Sequence, residues 1–364
     1  MSTTEFRVTE SQKNIDKVRA IEKTLPIACS DFFRSIANTT TPLTRLSYAY
    51  DFKLFFKYLT QEKFEFADVE IQHIGDVHLQ MITNRDIVGY QDFLAQYSLT
   101  DESNNKIKII QNREYGIMRK LSSLRSLFEY LFQTEHIVAN VATRVALPKI
   151  RSKVITLLNQ EEMQRLIDTI QSGNGLTAHE KKLNRLTGAR DLAMIMLFLG
   201  TGIRVSECVG INLDDIDFSV NGILITRKGG NETIIYFPEQ VATSLEHYIE
   251  ERKKIEPVQG HEQALFLSLQ RRRITQRAVE NLVKKYARVV VPFKKKMSPH
   301  KLRSTFGTNL YHETGDINLV AEILGHSDVN TTRKHYVALS EQRKKLATKH
   351  VVLPQTDIDV KGED

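Results

Sequence analysis

The sequence predicts a mainly α-helical fold of two domains, with one small antiparallel β-sheet in the second domain. Apolar residues recur at helical spacing over most of the chain, as in TPLTRLSYAYDFKLFFKYL from Thr41 onward. Two β-type runs, residues 223–226 and 233–237, flank a turn with two glycines, which is typical of a hairpin. A basic segment with a proline, residues 148–156, separates the two helical parts and predicts a linker.

Composition and charge restrict the class of protein. The 364 residues suffice for two domains, and 41% hydrophobic with 26% charged residues is a balance typical of globular proteins. No apolar run approaches the roughly 18 residues of a membrane helix, so no membrane partner is predicted. Cys29 and Cys208 lie far apart without metal-ligand spacing, which favours a reducing cytoplasm and no zinc site. The net charge of +7 favours a polyanionic partner.

The first domain is predicted to be helical and to span residues 41–147. Residues 1–40 are polar, and we expect them to form a helical extension. After the helix that begins at Thr41, the apolar spacing predicts further helices over residues 86–97 and 112–132. The sequence contains no β-type run that we assign to this domain.

The second domain is predicted over residues 157–350. Asn159 followed by Glu162 is a capping-box pattern that predicts a helix start. Residues 191–199 are apolar on nearly every face, so we expect a buried helix there. Further helices are predicted at residues 239–255, 275–290, 299–312, 317–324 and 330–347. The acidic tail, residues 351–364, is expected to be loosely held.

An arginine directly after the buried helix is the first candidate for chemistry. Arg204 lies in GTGIRVSE, where two glycines allow a sharp turn. A guanidinium beside a buried helix is costly unless it meets an anion. Glu207 lies three residues later on the same helical face and could hold it. The pair is therefore either a structural ion pair or part of an anion site.

The hairpin turn carries the second candidate, Lys228, next to the glycines. A lysine on a flexible turn can reach into a site, although an ordinary exposed turn lysine has the same pattern. The third candidate is the helix start MSPHKLR, in which Ser298 is predicted as N-cap and Pro299 as first helical residue. His300 and Arg303 then share one face near the positive helix end, which suits an anion, or else they form a basic surface helix.

The fourth candidate is the turn after residues 317–324, which Gly325 can end in the left-handed conformation. His326 follows in the turn, and Tyr336 lies on the next predicted helix; a tyrosine that only packs a helix end is the alternative. Together the four candidates suggest one device. Arginines and histidines can bind a phosphate, a tyrosine can attack it, and a lysine can protonate the leaving oxygen. This chemistry requires no metal and no other cofactor.

These residues, in this order, resemble the tyrosine recombinases of the phage integrase family, and especially the Xer and Cre-like two-domain enzymes. The residues that carry the resemblance are Arg204 and Glu207 in GTGIRVSE, Lys228 on the hairpin, His300 and Arg303 in HKLR, His326 in LGH, and Tyr336. The likeness covers about residues 156–345. Tyr336 lies ten residues after His326, one more than in the usual motif, but no other tyrosine follows the LGH turn.

The resemblance implies a site-specific recombinase that cleaves and rejoins DNA through a 3′-phosphotyrosyl intermediate and a Holliday junction. It implies a helical core-binding domain of the SAM-like type, a catalytic domain, and double-stranded DNA as the partner. It also implies a homo-oligomer on DNA, a dimer on each site and a tetramer in the synapse, or assembly with a related recombinase, and no small-molecule substrate. Type IB topoisomerase-like relaxation and a catalytically silent DNA-binding regulator are the alternatives.

Basic residues outside the catalytic set are candidates for DNA contacts. They lie on the helix of residues 112–132, in the linker, and before the helix of residues 275–290; a solvated helix face explains them equally well. The candidates are Lys120, Arg125, Lys149, Arg151, Arg272 and Arg273.

Overall fold

The computed structural model describes residues 3–101, 106–150, 157–227, 230–294 and 297–325. Its contacts divide the chain into two units, Glu5–Lys153 and a second unit that begins at Val154. That division lies inside the predicted linker, and the outer bounds of the predicted domains stay predictions. Each unit has its own hydrophobic core. The mainly α fold with small antiparallel sheets is confirmed.

The first unit is built from helices and a two-stranded antiparallel sheet. Its elements are α1 (Thr3–Glu22), α2 (Ile27–Ser35), α3 (Pro42–Glu62), α4 (Asp76–Gln80), α5 (Asn84–Ala95), β1 (Gln96–Asp101), β2 (Lys106–Gln111) and α6 (Glu114–Gln133). The helices predicted from Thr41 and over residues 112–132 are confirmed as α3 and α6.

Two expectations for this unit need correction. The predicted helix 86–97 ends at Ala95, because the chain then enters β1, where Tyr97 pairs with Ile110. Residues 1–40 are not simply an extension, because α2 buries Phe32 and Phe33 in the first core. The polar composition of the first 40 residues concealed this short apolar helix.

The second unit surrounds a buried helix and carries a three-stranded antiparallel sheet. Its elements are α7 (Gln160–Ser172), α8 (Ala178–Thr201), α9 (Val205–Gly210), β3 (Ile216–Asp217), β4 (Gly222–Thr226), β5 (Glu232–Tyr236), α10 (Glu239–Lys253), α11 (Gln276–Val290), α12 (Pro299–Thr314) and α13 (Ile317–Leu324). The predicted hairpin is confirmed, with Leu224 opposite Ile234. The predicted buried helix is the second half of α8, where Met194 and Phe198 are inaccessible to solvent.

The starts of α7 and α12 show which capping predictions are correct. In α7, Asn159 Oδ1 accepts from the Glu162 N–H and Glu162 Oε2 accepts from the Asn159 N–H, both at 2.8 Å. Pro299 is the first residue of α12, as predicted. Ser298 is the N-cap residue, but its side chain makes no capping hydrogen bond, so that part of the prediction is wrong. Within the described ranges, no helix is both long and apolar enough to cross a membrane.

Candidate active site

Arg204 is placed by the end of the buried helix α8. Gly202 ends α8 with a φ of 64°, in the left-handed region that favours glycine. The chain then turns, and Arg204 becomes the N-cap residue of α9. This order of elements confirms the predicted sharp turn followed by a new helix. It leaves the Arg204 side chain 34% exposed, within reach of an anion from solvent.

Glu207 holds Arg204 by two hydrogen bonds. Its Oε1 accepts from Arg204 Nη1 at 2.9 Å, and its Oε2 accepts from the Arg204 backbone N–H at 2.9 Å. Glu207 is only 5% exposed. A buried carboxylate that accepts from both ends of one residue fixes where that residue's guanidinium lies. The predicted pairing is therefore present in the structure.

Arg303 lies on α12 and bridges two separate turns of the second unit. Its Nη1 donates to the carbonyl oxygen of Gly202 at 2.5 Å, and its Nη2 donates to that of Leu324. The residue is only 6% exposed. A planar guanidinium can hold two acceptors at a fixed separation. Arg303 thus ties the turn before Arg204 to the end of α13.

The end of α13 is also bound by Arg204. Arg204 Nη2 donates to the carbonyl oxygen of Gly325 at 2.6 Å. Gly325 ends α13 with a φ of 60°, as the sequence predicted. The last carbonyls of a helix lack partners within the helix and form the negative end of its dipole, so cations are stabilised there. Two predicted arginines consequently meet at the residue that precedes His326.

Arg227 is a third arginine at the same helix end, and sequence patterns did not single it out. Its Nη2 donates to the carbonyl oxygen of Ile323 at 3.0 Å, and its Nη1 approaches that of Glu322 at 3.4 Å. The signal for it in the sequence is its position directly before Lys228. That position alone assigns it only to the hairpin turn.

The predicted catalytic residues fall into two groups with respect to the structure. Arg204, Glu207 and Arg303 are brought together around Gly202 and the end of α13. His300 lies exposed in the first turn of α12, the helix that carries Arg303. Lys228, His326, Tyr336 and the predicted helix 330–347 lie outside the described residues, as does Arg151.

Arg273 corrects one of the predicted DNA contacts. It is 5% exposed, and its Nη1 donates to the carbonyl oxygens of Val209 and Ile211 at 3.0 and 2.9 Å. Its Nη2 donates to Asn212 Oδ1. Burial lowers the pKa of Arg273 to about 10. Because the guanidinium is enclosed and occupied, this side chain cannot be a surface contact to DNA in the described conformation.

Arg125 is also used inside its own unit. Its Nε donates to the carbonyl oxygen of Ala142 at 3.3 Å, and its Nη2 donates to that of Val145. The side chain thereby holds the segment that follows α6, and the prediction of a groove-facing arginine is corrected to this structural role. Lys120 is half-buried with its Nζ 3.8 Å from Asp51, and burial lowers its pKa, opposed by the charge of Asp51.

Lys149 and Arg272 are both exposed, so their predicted contacts with DNA stay open. Arg272 is the immediate neighbour of the buried Arg273. The sequence signal, a run of arginines before a helix, could not separate the two. Only the packing of the segment determines which arginine faces the interior.

Comparison with known proteins gives the class of this site. A model of the phage integrase family matches residues 156–343. The chain is 31% identical over 306 residues to a tyrosine recombinase XerC of Caldanaerobacter subterraneus subsp. tengcongensis, covering 82% of this chain and 79% of the relative. It is 28% identical to a tyrosine recombinase XerC of Oceanobacillus iheyensis, covering 83% and 87%.

Solved structures show the same fold. A crystal structure of the XerH site-specific recombinase bound to a palindromic difH substrate matches with a TM-score of 0.60 at 22% identity, over 87% of this chain and 82% of that chain. The Tn1549 transposon integrase in complex with circular intermediate DNA matches with a TM-score of 0.59 at 20% identity, over 88% and 98%.

The fold and the site therefore define a DNA strand-cleaving and rejoining enzyme of the tyrosine recombinase type. The chain belongs to the phage integrase family. It is a site-specific recombinase whose partner is DNA, and neither topoisomerase-like relaxation nor a silent regulator is favoured by these comparisons.

Proposed function

We propose that seven residues form one active site that cleaves DNA through a covalent phosphotyrosine. They are Arg204, Glu207, Lys228, His300, Arg303, His326 and Tyr336. The observation that carries the proposal is the meeting of Arg204 and Arg303 on the carbonyls of Gly325 and Leu324. This contact supports a common site because Gly325 directly precedes His326 in the chain.

In the proposed reaction, Tyr336 attacks a DNA phosphate and becomes bonded to the 3′ phosphate, while a 5′ hydroxyl leaves. Arg204 and Arg303, with His300 and His326, neutralise the charge that develops on the phosphate oxygens. Lys228 donates the proton that the leaving oxygen needs. Because the arginines and histidines supply the positive charge, we propose that cleavage needs no metal or other cofactor. The energy of the phosphodiester is kept in the phosphotyrosine, so strands can be rejoined after exchange through a Holliday junction.

A nicked suicide substrate tests this proposal, because it loses a short fragment after cleavage and traps the covalent adduct. Wild-type protein should form a protein–DNA adduct that resists denaturation, in the presence of EDTA as well. Tyr336→Phe should still bind the site but form no adduct. Tyr311→Phe is the matched control, since Tyr311 is the tyrosine on α12 before the LGH turn and should be dispensable for the covalent bond. An adduct from Tyr336→Phe would contradict the assignment of the nucleophile.

We further propose how the chain assembles. Residues 41–147 would act as the core-binding DNA-clamp domain, residues 148–156 as a linker, and residues 157–350 as the catalytic domain. The enzyme would act in the cytoplasm on nucleoid DNA, as a dimer on each site and a tetramer in the synapse, alone or with a related recombinase. The exposed basic candidates Lys149 and Arg272 would contact phosphates.

The physiological reaction would be either chromosome dimer resolution or the integration and excision of a mobile element. The XerC relatives favour the first, while the likeness to the Tn1549 integrase is one of fold. Sequencing the DNA that the purified protein binds from its own genome would distinguish them: a single chromosomal site indicates the first reaction, and the ends of an element indicate the second.

A further inference from the structure

The turn that carries Lys228 begins at Arg227, whose backbone is fixed on both sides. The Arg227 N–H donates to the carbonyl oxygen of Asn231 at 2.7 Å, and the Gly230 N–H donates to that of Arg227 at 3.2 Å. These bonds extend the β4–β5 ladder by one pair and close the turn. Lys228 is therefore the first residue after a rigid ladder.

The Arg227 side chain connects this ladder to the end of α13. Its two Nη atoms point at the carbonyl oxygens of Glu322 and Ile323, as described above. It also lies directly against Gly325, because a Cβ atom built at Gly325 would be 2.1 Å from Arg227 Nη1. One guanidinium thus touches the residue before His326, while its backbone directly precedes Lys228.

Stability alone does not explain this contact. Arg252 in the same unit is a structural arginine, and its Nε, Nη1 and Nη2 each donate to a backbone carbonyl. Arg227 Nε is buried and has no acceptor within the described parts of the chain. A buried donor without an acceptor is costly, so a side chain selected only for stability would not be left in this state.

We propose that Arg227 is a positioning residue that holds Lys228 in register with the phosphate site at the end of α13. This inference rests on the proposed function, in which Tyr336 Oη bonds to phosphorus, the bond from phosphorus to the 5′ oxygen breaks, and the Lys228 ammonium gives its proton to that oxygen. Arg227 touches neither DNA nor the reacting atoms; it acts through Lys228. Loss of Arg227 should therefore impair proton delivery to the leaving group and leave phosphate binding intact.

A substrate whose leaving 5′ oxygen is replaced by sulfur isolates this step. A thiol has a pKa of about 8.5, so a thiolate leaves without being protonated, and the general acid becomes dispensable. The full-length protein is assayed for adduct formation on matched oxygen and sulfur substrates. The variants are Arg227→Ala, Arg227→Lys, Lys228→Ala, Arg303→Lys and Arg277→Ala. Arg277 is the control, because its guanidinium is exposed on α11 and pairs only locally with Glu280.

We expect Arg227→Ala to cleave the oxygen substrate about 10- to 100-fold more slowly than wild type, the size of loss that misplacement of a catalytic group causes. On the sulfur substrate it should return to within about threefold of wild type, as should Lys228→Ala, whereas Arg303→Lys should remain slow on both. Arg227→Lys should show a smaller loss with the same rescue, and Arg277→Ala should match wild type. The lysine variant keeps the charge, so it decides the question if the alanine variant unfolds.

Equal losses on both substrates for Arg227→Ala and Arg227→Lys would overturn the inference, because the defect would then lie in phosphate binding or folding. Wild-type rates for both variants on oxygen would overturn it too. If wild-type protein forms no adduct on either substrate, the proposed function itself fails. If wild type is active but Lys228→Ala is not rescued by sulfur, the general acid is misassigned and the inference fails with it.

Discussion

Arg204 and Arg303 donate to consecutive carbonyl oxygens, those of Gly325 and Leu324, although 99 positions separate them in the sequence. The two arginines come from α12 and from the start of α9, and α13 supplies both acceptors. Arg303 also binds Gly202, the residue that turns the chain toward Arg204. The site is therefore assembled by arginines that bind backbone carbonyls, so the geometry of the two glycine turns and the positions of the arginines depend on each other.

Glu207→Gln should impair cleavage more than it impairs folding. The amide replaces one carboxylate oxygen with an N–H donor, which then faces either the guanidinium or the backbone N–H of Arg204, and one bond is lost. A hydrogen bond to a charged group contributes about 1.5–3 kcal/mol. We expect adduct formation on the suicide substrate to fall about 10- to 100-fold, because the phosphate-binding arginine is less well placed.

The matched control is Glu280→Gln, which removes the charge of another Arg–Glu pair with the same spacing. Arg277 and Glu280 are largely exposed, and such pairs contribute about 0–1 kcal/mol. Glu280→Gln should leave both the cleavage rate and the melting temperature unchanged. Equal effects of the two substitutions would show that the Glu207 pair has no special role in the site.

Gly202→Ala should destabilise the catalytic unit. At Gly202 the φ of 64° is strained for alanine, and a Cβ would lie 2.4 Å from Phe306 Cδ1 and 2.8 Å from Leu324 Cδ2. The left-handed conformation costs about 1–2 kcal/mol and overpacking about 1–3 kcal/mol. A loss of about 3 kcal/mol in the free energy of unfolding is expected in urea titrations monitored by circular dichroism.

Gly260→Ala separates the two costs. Gly260 has a φ of 83°, but a Cβ added there would have no atom within 4 Å, so only the conformational cost applies. Its loss should be about 1–2 kcal/mol. If the two variants lose the same free energy, the contact of Gly202 with Phe306 and Leu324 does not limit the turn.

Local patterns in the sequence were enough to predict most helices of the second unit. The α8 run is apolar on all faces, α7 begins with a reciprocal cap, and α13 ends at a glycine, so each has a signal within a few residues. The motif residues Arg204 and Arg303 could be identified for the same reason. Their meeting at the end of α13 depends on packing between distant segments and could not be derived from spacing.

Three features had no local signal. The hairpin of β1 and β2 has mostly exposed residues in β2, so its apolar pattern resembled a loop between helices. The difference between Arg272 and Arg273 depends on which residue the neighbouring loop near Asn212 encloses. Arg227 binds carbonyls about 95 positions away, and a carbonyl that accepts a hydrogen bond leaves no trace in the amino-acid sequence.

Arg272 and Arg273 should respond to alanine substitution in opposite ways. Arg273→Ala leaves buried carbonyls without a donor, and we expect the free energy of unfolding to fall by about 2–4 kcal/mol. Arg272→Ala should leave the urea midpoint unchanged. If Arg272 contacts a phosphate, its loss should weaken DNA binding and reduce the slope of log affinity against log salt by about 1 in titrations of labelled DNA. An unchanged slope would remove Arg272 from the DNA interface.

The ion pair between Glu162 and Lys294 should make stability depend on pH on the acid side. Lys294 Nζ donates to Glu162 Oε2 and, at 2.8 Å, to the carbonyl oxygen of Leu157, so it holds the start of the second unit near the loop that leads to α12. Burial by itself would raise the pKa of Glu162, but the hydrogen bonds from Lys294 and Asn159 lower it below the ordinary value of 4.5.

A folded-state pKa below the unfolded value means that the contribution is fully present above about pH 4.5 and is lost as the pH falls through the folded value. Glu162→Gln should therefore lower the free energy of unfolding by about 1–2 kcal/mol at pH 7, and the difference from wild type should shrink toward pH 3. The control is Glu161→Gln, which removes an exposed charge from the same helical turn and should change stability by less than about 0.5 kcal/mol at pH 7. Urea titrations of the three proteins at pH 7, 5, 4 and 3 measure this, and a gap for Glu162→Gln that does not change with pH would show that the carboxylate is not what stabilises this contact.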